Sequence, residues 1–287
     1  MKIMIIGADG QLGSELCKVI PREEQIKLIL QDLDITDRQR VFGLIEKFDP
    51  EVVINTAACN NVDGCEDDPG PAFAVNTAAV KNLADACRAM EACLVHFSTD
   101  YVFDGKKRSP YVETDPPNPR SVYAISKLAG ELIVGSSLDK YFIIRTAGLY
   151  GAAGCMGKNG ANFVEGMLKR AEKGEELRVV TDEVLSPTYA LDLAKKIDQL
   201  VRTRHYGLYH IANRGECSWY EFARKIFELL GRKAAVQKTT AAEFKARAER
   251  PGYSALRNAG LEKIGLDDMR PWQEALRAYL VEKEHLN

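Results

Sequence analysis

The sequence predicts an α/β protein, a doubly wound parallel sheet with a smaller C-terminal region. Three observations carry that expectation. Short apolar runs alternate with helix-forming segments from residue 3 onward, which is how parallel strands covered on both faces are built. A glycine-rich turn, Gly7-Ala8-Asp9-Gly10-Gln11-Leu12-Gly13, separates the first strand from the first helix. Past residue 150 the alternation gives way to a stretch rich in Gly, Ala, Lys and Asn. The expected division is 1–150, with 191–213 returning to it, against 151–190 and 214–287.

The first strand is Ile3 to Ile6, and its helix runs to about Ile20. In such a turn Gly7 tightens the chain, Gly10 lets the backbone approach a pyrophosphate, and Gly13 lets the helix pack on the strand. The helix N-terminus then offers free N–H groups and a positive dipole end to the phosphates. This is the Rossmann-type arrangement, so residues 1–150 are read as an NAD(P)-binding domain. The second strand, Ile26 to Leu30, leads into Gln31-Asp32-Leu33-Asp34-Ile35-Thr36-Asp37. Asp32 stands about 20 residues beyond the glycines, where an acid bonds an adenosine ribose. Asp34 and Ile35 are the alternative pair, flanking the adenine, while Asp37 caps a helix from Arg38 to Lys47. An acid here favours NADH over NADPH. No arginine lies in the turn, although Arg38 is near, so the preference stays open.

A third strand, Glu51 to Ala58, ends in small residues that leave room for a cofactor. An acidic turn follows, Asp63 to Asp68, then a helix from about Pro71 to Met90. Asn76 is a poor helix former within it. It is either a solvent-facing polar residue or a side chain that bonds backbone near the site.

The central stretch begins with the buried strand Cys93-Leu94-Val95-His96-Phe97 and continues as Ser98-Thr99-Asp100-Tyr101-Val102-Phe103-Asp104-Gly105. After a proline-rich passage comes a helix, Val122 to Val134. Thr99 and Asp100 sit at the carboxyl end of a strand, where open α/β sheets place ligands. Tyr123 and Lys127 are four apart on the helix, so both side chains lie on one face. An ammonium beside a phenol favours phenolate and is expected to lower the tyrosine pKa from about 10.

Tyr141 to Arg145 is the next strand, and Gly151 to Asn162 reads as a loop suited to covering a ligand. A helix, Phe163 to Lys173, and a strand, Glu176 to Val180, follow. Ser186-Pro187-Thr188-Tyr189 introduces another helix, and Gly207 to Asn213 is a late strand returning to the sheet. Ser218 with Glu221 marks a helix start, and Pro271 opens the last amphipathic helix.

Composition bounds the partners. The chain has 287 residues, 46% hydrophobic and 28% charged, with a formal net charge of -2. That balance argues against nucleic acid or an anionic membrane surface as partner. Seven cysteines, an odd count without zinc-like pairs, read as reduced thiols in a cytoplasmic protein. No apolar run approaches the roughly 20 residues a membrane span needs.

Taken together, Gly7-x-x-Gly10-Gln11-Leu12-Gly13, Asp34-Ile35-Thr36-Asp37, Ser98 to Gly105, Tyr123-x-x-x-Lys127, Ser186-Pro187-Thr188 and Arg250-Pro251-x-x-Ser254-x-Leu256 resemble the extended short-chain dehydrogenase/reductase superfamily. Within it the chain is most similar to the dTDP-4-dehydrorhamnose reductases. The resemblance implies hydride transfer from NADPH or NADH to C4 of a nucleotide-bound 4-keto-6-deoxyhexose, in a monomer or homodimer. It implies Tyr123 as proton donor, Lys127 as its tuner and a nicotinamide ribose ligand, and Thr99 on the substrate oxygen. Asp100 and Tyr101 would border the sugar. Gly10, Gln11, Leu12, Asp34, Ile35, Ala57 and Ala58 match dinucleotide-contact positions, and Asn76 is grouped with them. Arg250 is the candidate for the substrate diphosphate, against a plain surface residue before a turn. Two departures stand out: Gly148 occupies a position where many relatives carry tryptophan, and Glu15 matches a magnesium position whose partner near Leu191 is apolar. No metal is assigned. A 4,6-dehydratase is disfavoured, since its catalytic glutamate position holds Tyr101; an epimerase and a non-catalytic subunit are the remaining rivals.

Overall fold

The computed structural model describes residues 1–154 and 161–286. Part of the Gly151–Asn162 loop therefore lies outside the described residues. The main sheet has six parallel strands. Five are β1 (Ile3–Ile6), β2 (Gln25–Leu28), β3 (Val52–Asn55), β4 (Cys93–Thr99) and β5 (Tyr141–Thr146), and the sixth is Gly207–His210. Across the sheet the order is Gly207–His210, β5, β4, β3, β1, β2. The chain leaves β1 on one side and returns to β3 on the other, so a crevice opens at the carboxyl ends of β1 and β3.

Alternate residues of each strand feed opposite faces. Ile3, Ile5, Ile54 and Val95 pack with Leu12 and Leu16 of α1 (Gln11–Val19) and with Leu193 and Ile197. Met4, Ile6, Val53 and Leu94 pack with Val41 and Ile45 of α2 (Arg38–Phe48) and with Val80 and Leu83. Both faces are covered, which is why these strands read as unbroken apolar runs rather than alternating ones. A separate aromatic core forms from Tyr150, Tyr189, Phe222, Trp272 and Tyr279. Its segments include a parallel pair, Leu177–Val180 with Val236–Thr239. Ser218 and Glu221 make a reciprocal capping box for Trp219–Leu229.

Three local expectations change. The second strand stops at Leu28, and Asp32 Oδ2 accepts from the Ile29 N–H, which turns the chain early and leaves Leu30 60% exposed. The acidic turn contains a helix, Val62–Asp67, capped by Asn61. The Pro71–Met90 helix is interrupted: Pro69–Phe73 and Ala79–Ala89 flank a π-helical turn at Ala74–Ala78. The interruption carries Asn76, which is buried rather than solvent-facing.

Candidate active site

The glycine turn makes a cradle that side chains would fill. Gly7 has φ +78°, and a Cβ there would lie 2.6 Å from Thr56 Oγ1. A Cβ on Gly13 would lie 2.0 Å from the Gly7 carbonyl oxygen, so nothing larger than glycine permits α1 to start this close to β1. Gly10 is the N-cap of α1 and supplies no side-chain oxygen, leaving the first N–H groups of a nine-residue helix without a side-chain cap. That is the geometry and polarity a pyrophosphate requires. Leu12 is core, so it offers backbone only, whereas Gln11 Nε2 donates to the Leu149 carbonyl 2.9 Å away. Ala57 is half-buried and Ala58 exposed at the end of β3.

The acids beyond β2 serve the local turn. Asp32 holds Ile29, and Asp34 Oδ1 accepts from both the backbone N–H and the hydroxyl of Thr36, at 2.9 and 2.8 Å. Asp32 and Asp34 remain exposed, while the Ile35 side chain is core. Asp37 caps α2 as expected, and Arg38 is paired with Asp85 at 3.0 Å.

Tyr123 lies in the first turn of the Val122–Ser137 helix. Two groups lock that terminus: Ser121 Oγ accepts from the Ala124 N–H, and Glu66 Oε1 accepts from the Val122 N–H at 2.8 Å. Thr99 and Asp100 close β4 beneath it. Thr99 Oγ1 donates to Asp100 Oδ1 at 3.1 Å and is within hydrogen-bond reach of the Tyr123 phenol. Ser254 donates to the other oxygen of Asp100. Tyr101 meets Tyr123 edge to face, ring centroids 6.3 Å apart.

The expectation of a lowered tyrosine pKa is overturned. Tyr123 is pushed up, first by burial and then by the negative charge of Asp100. Loss of water around the phenolate, with the Asp100 carboxylate close by, sets the direction, and Lys127 is not among the groups that shift Tyr123. Lys127 is itself depressed to about 8, because burial disfavours its charge more than Glu131 favours it. Glu131 is engaged elsewhere, in a buried bidentate pair with Arg145 at 2.9 and 2.6 Å. Lys127 has no ion-pair partner among the described residues, which suits a group reserved for a ligand's hydroxyls.

Burial also raises Asp100, from 3.8 to about 7, against the hydrogen bonds from Ser254 and Thr99. A carboxyl raised on folding stabilises the fold while protonated, so its contribution is full below 3.8 and is lost as pH rises to about 7. Asp100→Asn is therefore expected to stabilise the chain at alkaline pH, by on the order of a few kcal/mol, with the gain shrinking toward pH 4. Thermal melts of both proteins across that range check it.

Asn76 is fully committed. Its Oδ1 accepts from the Cys59 N–H, and its Nδ2 donates to the Cys59 carbonyl and to Ser126 Oγ, all within 3.0 Å. Its side chain braces the wall beyond β3 against the tyrosine helix. Arg250 is anchored, not loose: Nη1 and Nη2 donate to Asp63 at 3.2 and 2.8 Å, and Nη1 also reaches the Ala248 carbonyl. A half-buried guanidinium held as a fork is preorganised for phosphate oxygens.

Sequence reasoning missed Asp63, Glu66, Glu131 and Glu183. Glu131 had a signal, one turn beyond Lys127; the others depend on long-range contacts no local pattern shows. Glu183 is buried near Arg250 and is pushed up by that burial. The Glu15 carboxylate is taken by Lys18 and the Ala152 N–H, and Asp192 by Arg270 and Asn213. Gly148 has φ +51°, and its Cβ would lie 2.5 Å from Leu185 Cδ1, so the Leu185 side chain occupies the space a larger residue there would need.

Comparison with known proteins agrees with this geometry. The RmlD substrate binding domain model matches residues 1–285. The spore coat polysaccharide biosynthesis protein SpsK of Bacillus subtilis is 40% identical over 284 residues, covering 98% of both chains. A dTDP-4-dehydrorhamnose reductase structure from Clostridium acetobutylicum superposes with a TM-score of 0.94 at 42% identity, covering 99% of this chain and 100% of that one. One from Bacillus anthracis, solved in complex with NADP, gives 0.94 at 38% identity, covering 98% of this chain and 100% of that one. With its glycine cradle, its Tyr123–Lys127 helix and a match running the length of the sequence, the chain belongs to the RmlD substrate binding domain family.

Proposed function

We propose that the chain is an NAD(P)H-dependent reductase of nucleotide keto-sugars, converting dTDP-4-dehydro-L-rhamnose to dTDP-L-rhamnose. The observation that carries the reading is the convergence of Thr99, Asp100 and Tyr123 at the carboxyl end of β4, beside an N-terminus of α1 fit for a pyrophosphate. The relatives' activity and the NADP of the Bacillus anthracis structure support it.

The bound nicotinamide supplies the hydride. Tyr123 supplies the proton, donating from Oη to the oxygen that becomes the alcohol. Its raised pKa suits that role: the phenol keeps its proton until the oxygen gains alkoxide character. Thr99 orients the same oxygen, and Asp100 and Tyr101 border the sugar. Lys127 holds ribose hydroxyls, and its charge eases phenolate formation after the transfer. Gly7, Gly10 and Gly13 admit the pyrophosphate to the N-terminus of α1, where Gln11 and Leu12 offer backbone. Asp32 and Asp34 lie toward the ribose, and Ala57, Ala58 and the Asn76-braced wall leave space for the dinucleotide.

Arg250 binds the diphosphate. Residues 1–150 with 191–213 act as the cofactor domain, and 151–190 with 214–287 as the substrate region. The protein acts in the cytoplasm as a monomer or homodimer; among the described residues no helix is long and apolar enough to cross a membrane.

Asp63→Asn weakens the charge that holds the Arg250 fork. The expected result is a KM for the nucleotide sugar raised about tenfold with kcat and the NAD(P)H KM little changed, in line with about 1.4 kcal/mol of lost uniform binding. Steady-state oxidation of NADH and NADPH with dTDP-4-keto-L-rhamnose tests both this and the proposed activity. No turnover with either nucleotide would reject the reductase reading.

A further inference from the structure

Two cysteines outside the proposed chemistry stand together in the wall of the cleft. Cys59, half-buried, follows the small residues after β3, and Cys65 lies in the Val62–Asp67 helix. Their sulfurs are 3.9 Å apart. A disulfide needs about 2.05 Å, so closing the gap takes a sulfur displacement of about 2 Å. Cys59 is the fixed partner, since Asn76 grips both its N–H and its carbonyl. Any backbone adjustment on closure therefore falls on the short helix that bears Cys65. It also carries Asp63, the anchor of Arg250, and Glu66, the cap on the helix of Tyr123.

We propose that Cys59 and Cys65 are a peroxide-sensitive modification site, forming a reversible disulfide that disengages Asp63 and Glu66 from the active site. The sulfur of the more exposed Cys59 attacks peroxide: the S–O bond forms, the O–O bond breaks, and the thiol proton leaves with the first oxygen as water, giving the sulfenic acid. Cys65 Sγ then attacks that sulfur; the S–S bond forms, the S–O bond breaks, and the second oxygen leaves as water with the Cys65 proton. Two electrons pass from the thiols to the peroxide. Burial, with the neighbouring Cys59, pushes the Cys65 thiol up to about 12, so the second step is the slow one. A thiol reductant reverses the reaction by exchange.

The test treats the whole protein with hydrogen peroxide, blocks free thiols with iodoacetamide, and maps the tryptic peptide that spans residues 48–81. The expected peptide is unalkylated at both cysteines and lighter by two hydrogens. Keto-sugar turnover falls by about tenfold or more, as misplaced positioning groups cost, and dithiothreitol restores it. Cys65→Ala and Cys59→Ser lose this reversible inhibition. The peptide result stands whatever the substrate is; only the turnover arm rests on the reductase reading. Alkylation of both thiols after peroxide overturns the site. A disulfide that leaves turnover unchanged, or equal reversible inhibition in either variant, overturns its coupling to the cleft.

Discussion

Tyr123→Phe is expected to lower kcat by about 10²- to 10⁴-fold, the contribution of one positioned proton donor. The variant removes a single oxygen from a residue whose ring stays packed edge to face on Tyr101. The helix terminus is held by Ser121 and Glu66 rather than by the phenol, so the melting temperature should stay close to that of the parent. Affinity for NAD(P)H, measured by fluorescence titration, should change little, because the proposed cofactor contacts at Lys127 and the glycine cradle remain. Steady-state kinetics that give a raised KM and an unchanged kcat would assign Tyr123 to binding alone.

The second large effect is on stability. Glu131→Ala leaves the Arg145 guanidinium buried at 3% exposure without its carboxylate. Breaking a buried pair on one side costs about 3–5 kcal/mol, most of it the uncompensated charge. Arg145 also lies 5.2 Å from the Phe103 ring centroid, so its position bears on the small core behind the site. The double variant Glu131→Leu with Arg145→Met removes both charges and should recover most of that loss, as apolar replacement of buried pairs generally does. Glu131 is also the charge that lifts the Lys127 pKa against burial. Both variants should therefore move the alkaline limb of kcat/KM, which reports the free enzyme, to lower pH than in the parent. Denaturant unfolding reads the first effect and a pH–rate profile the second. Stability loss equal in the single and double variants would contradict the account.

The legible parts of this chain were those governed by local rules. The β1–turn–α1 unit followed from glycine spacing, and the capping box at Ser218 from two residue types three apart. Tyr123 and Lys127 could be paired as candidates because helical periodicity places them on one face, and both do lie in the Val122–Ser137 helix. What escaped depends on burial. The direction of the Tyr123 shift reverses because desolvation and the Asp100 charge, both invisible in a four-residue motif, push the phenol up. Asn76 looked like a weak helix residue; it instead sits in a π-helical turn whose widened backbone lets it bond the Cys59 segment. Asp63 and Glu66 read as part of an acidic turn, yet each is matched to a partner far along the chain, Arg250 and the Val122 N–H. No local pattern carries such pairings.

The most direct test of the central claim follows the hydride itself. Reduced nicotinamide bearing deuterium at its C4 would be incubated with dTDP-4-keto-L-rhamnose and the protein, and the sugar examined by NMR and mass spectrometry. The account predicts one deuterium at C4 of dTDP-L-rhamnose, formed in step with cofactor oxidation and largely abolished in Tyr123→Phe. Deuterium at another carbon, or sugar conversion without net cofactor oxidation, would contradict it.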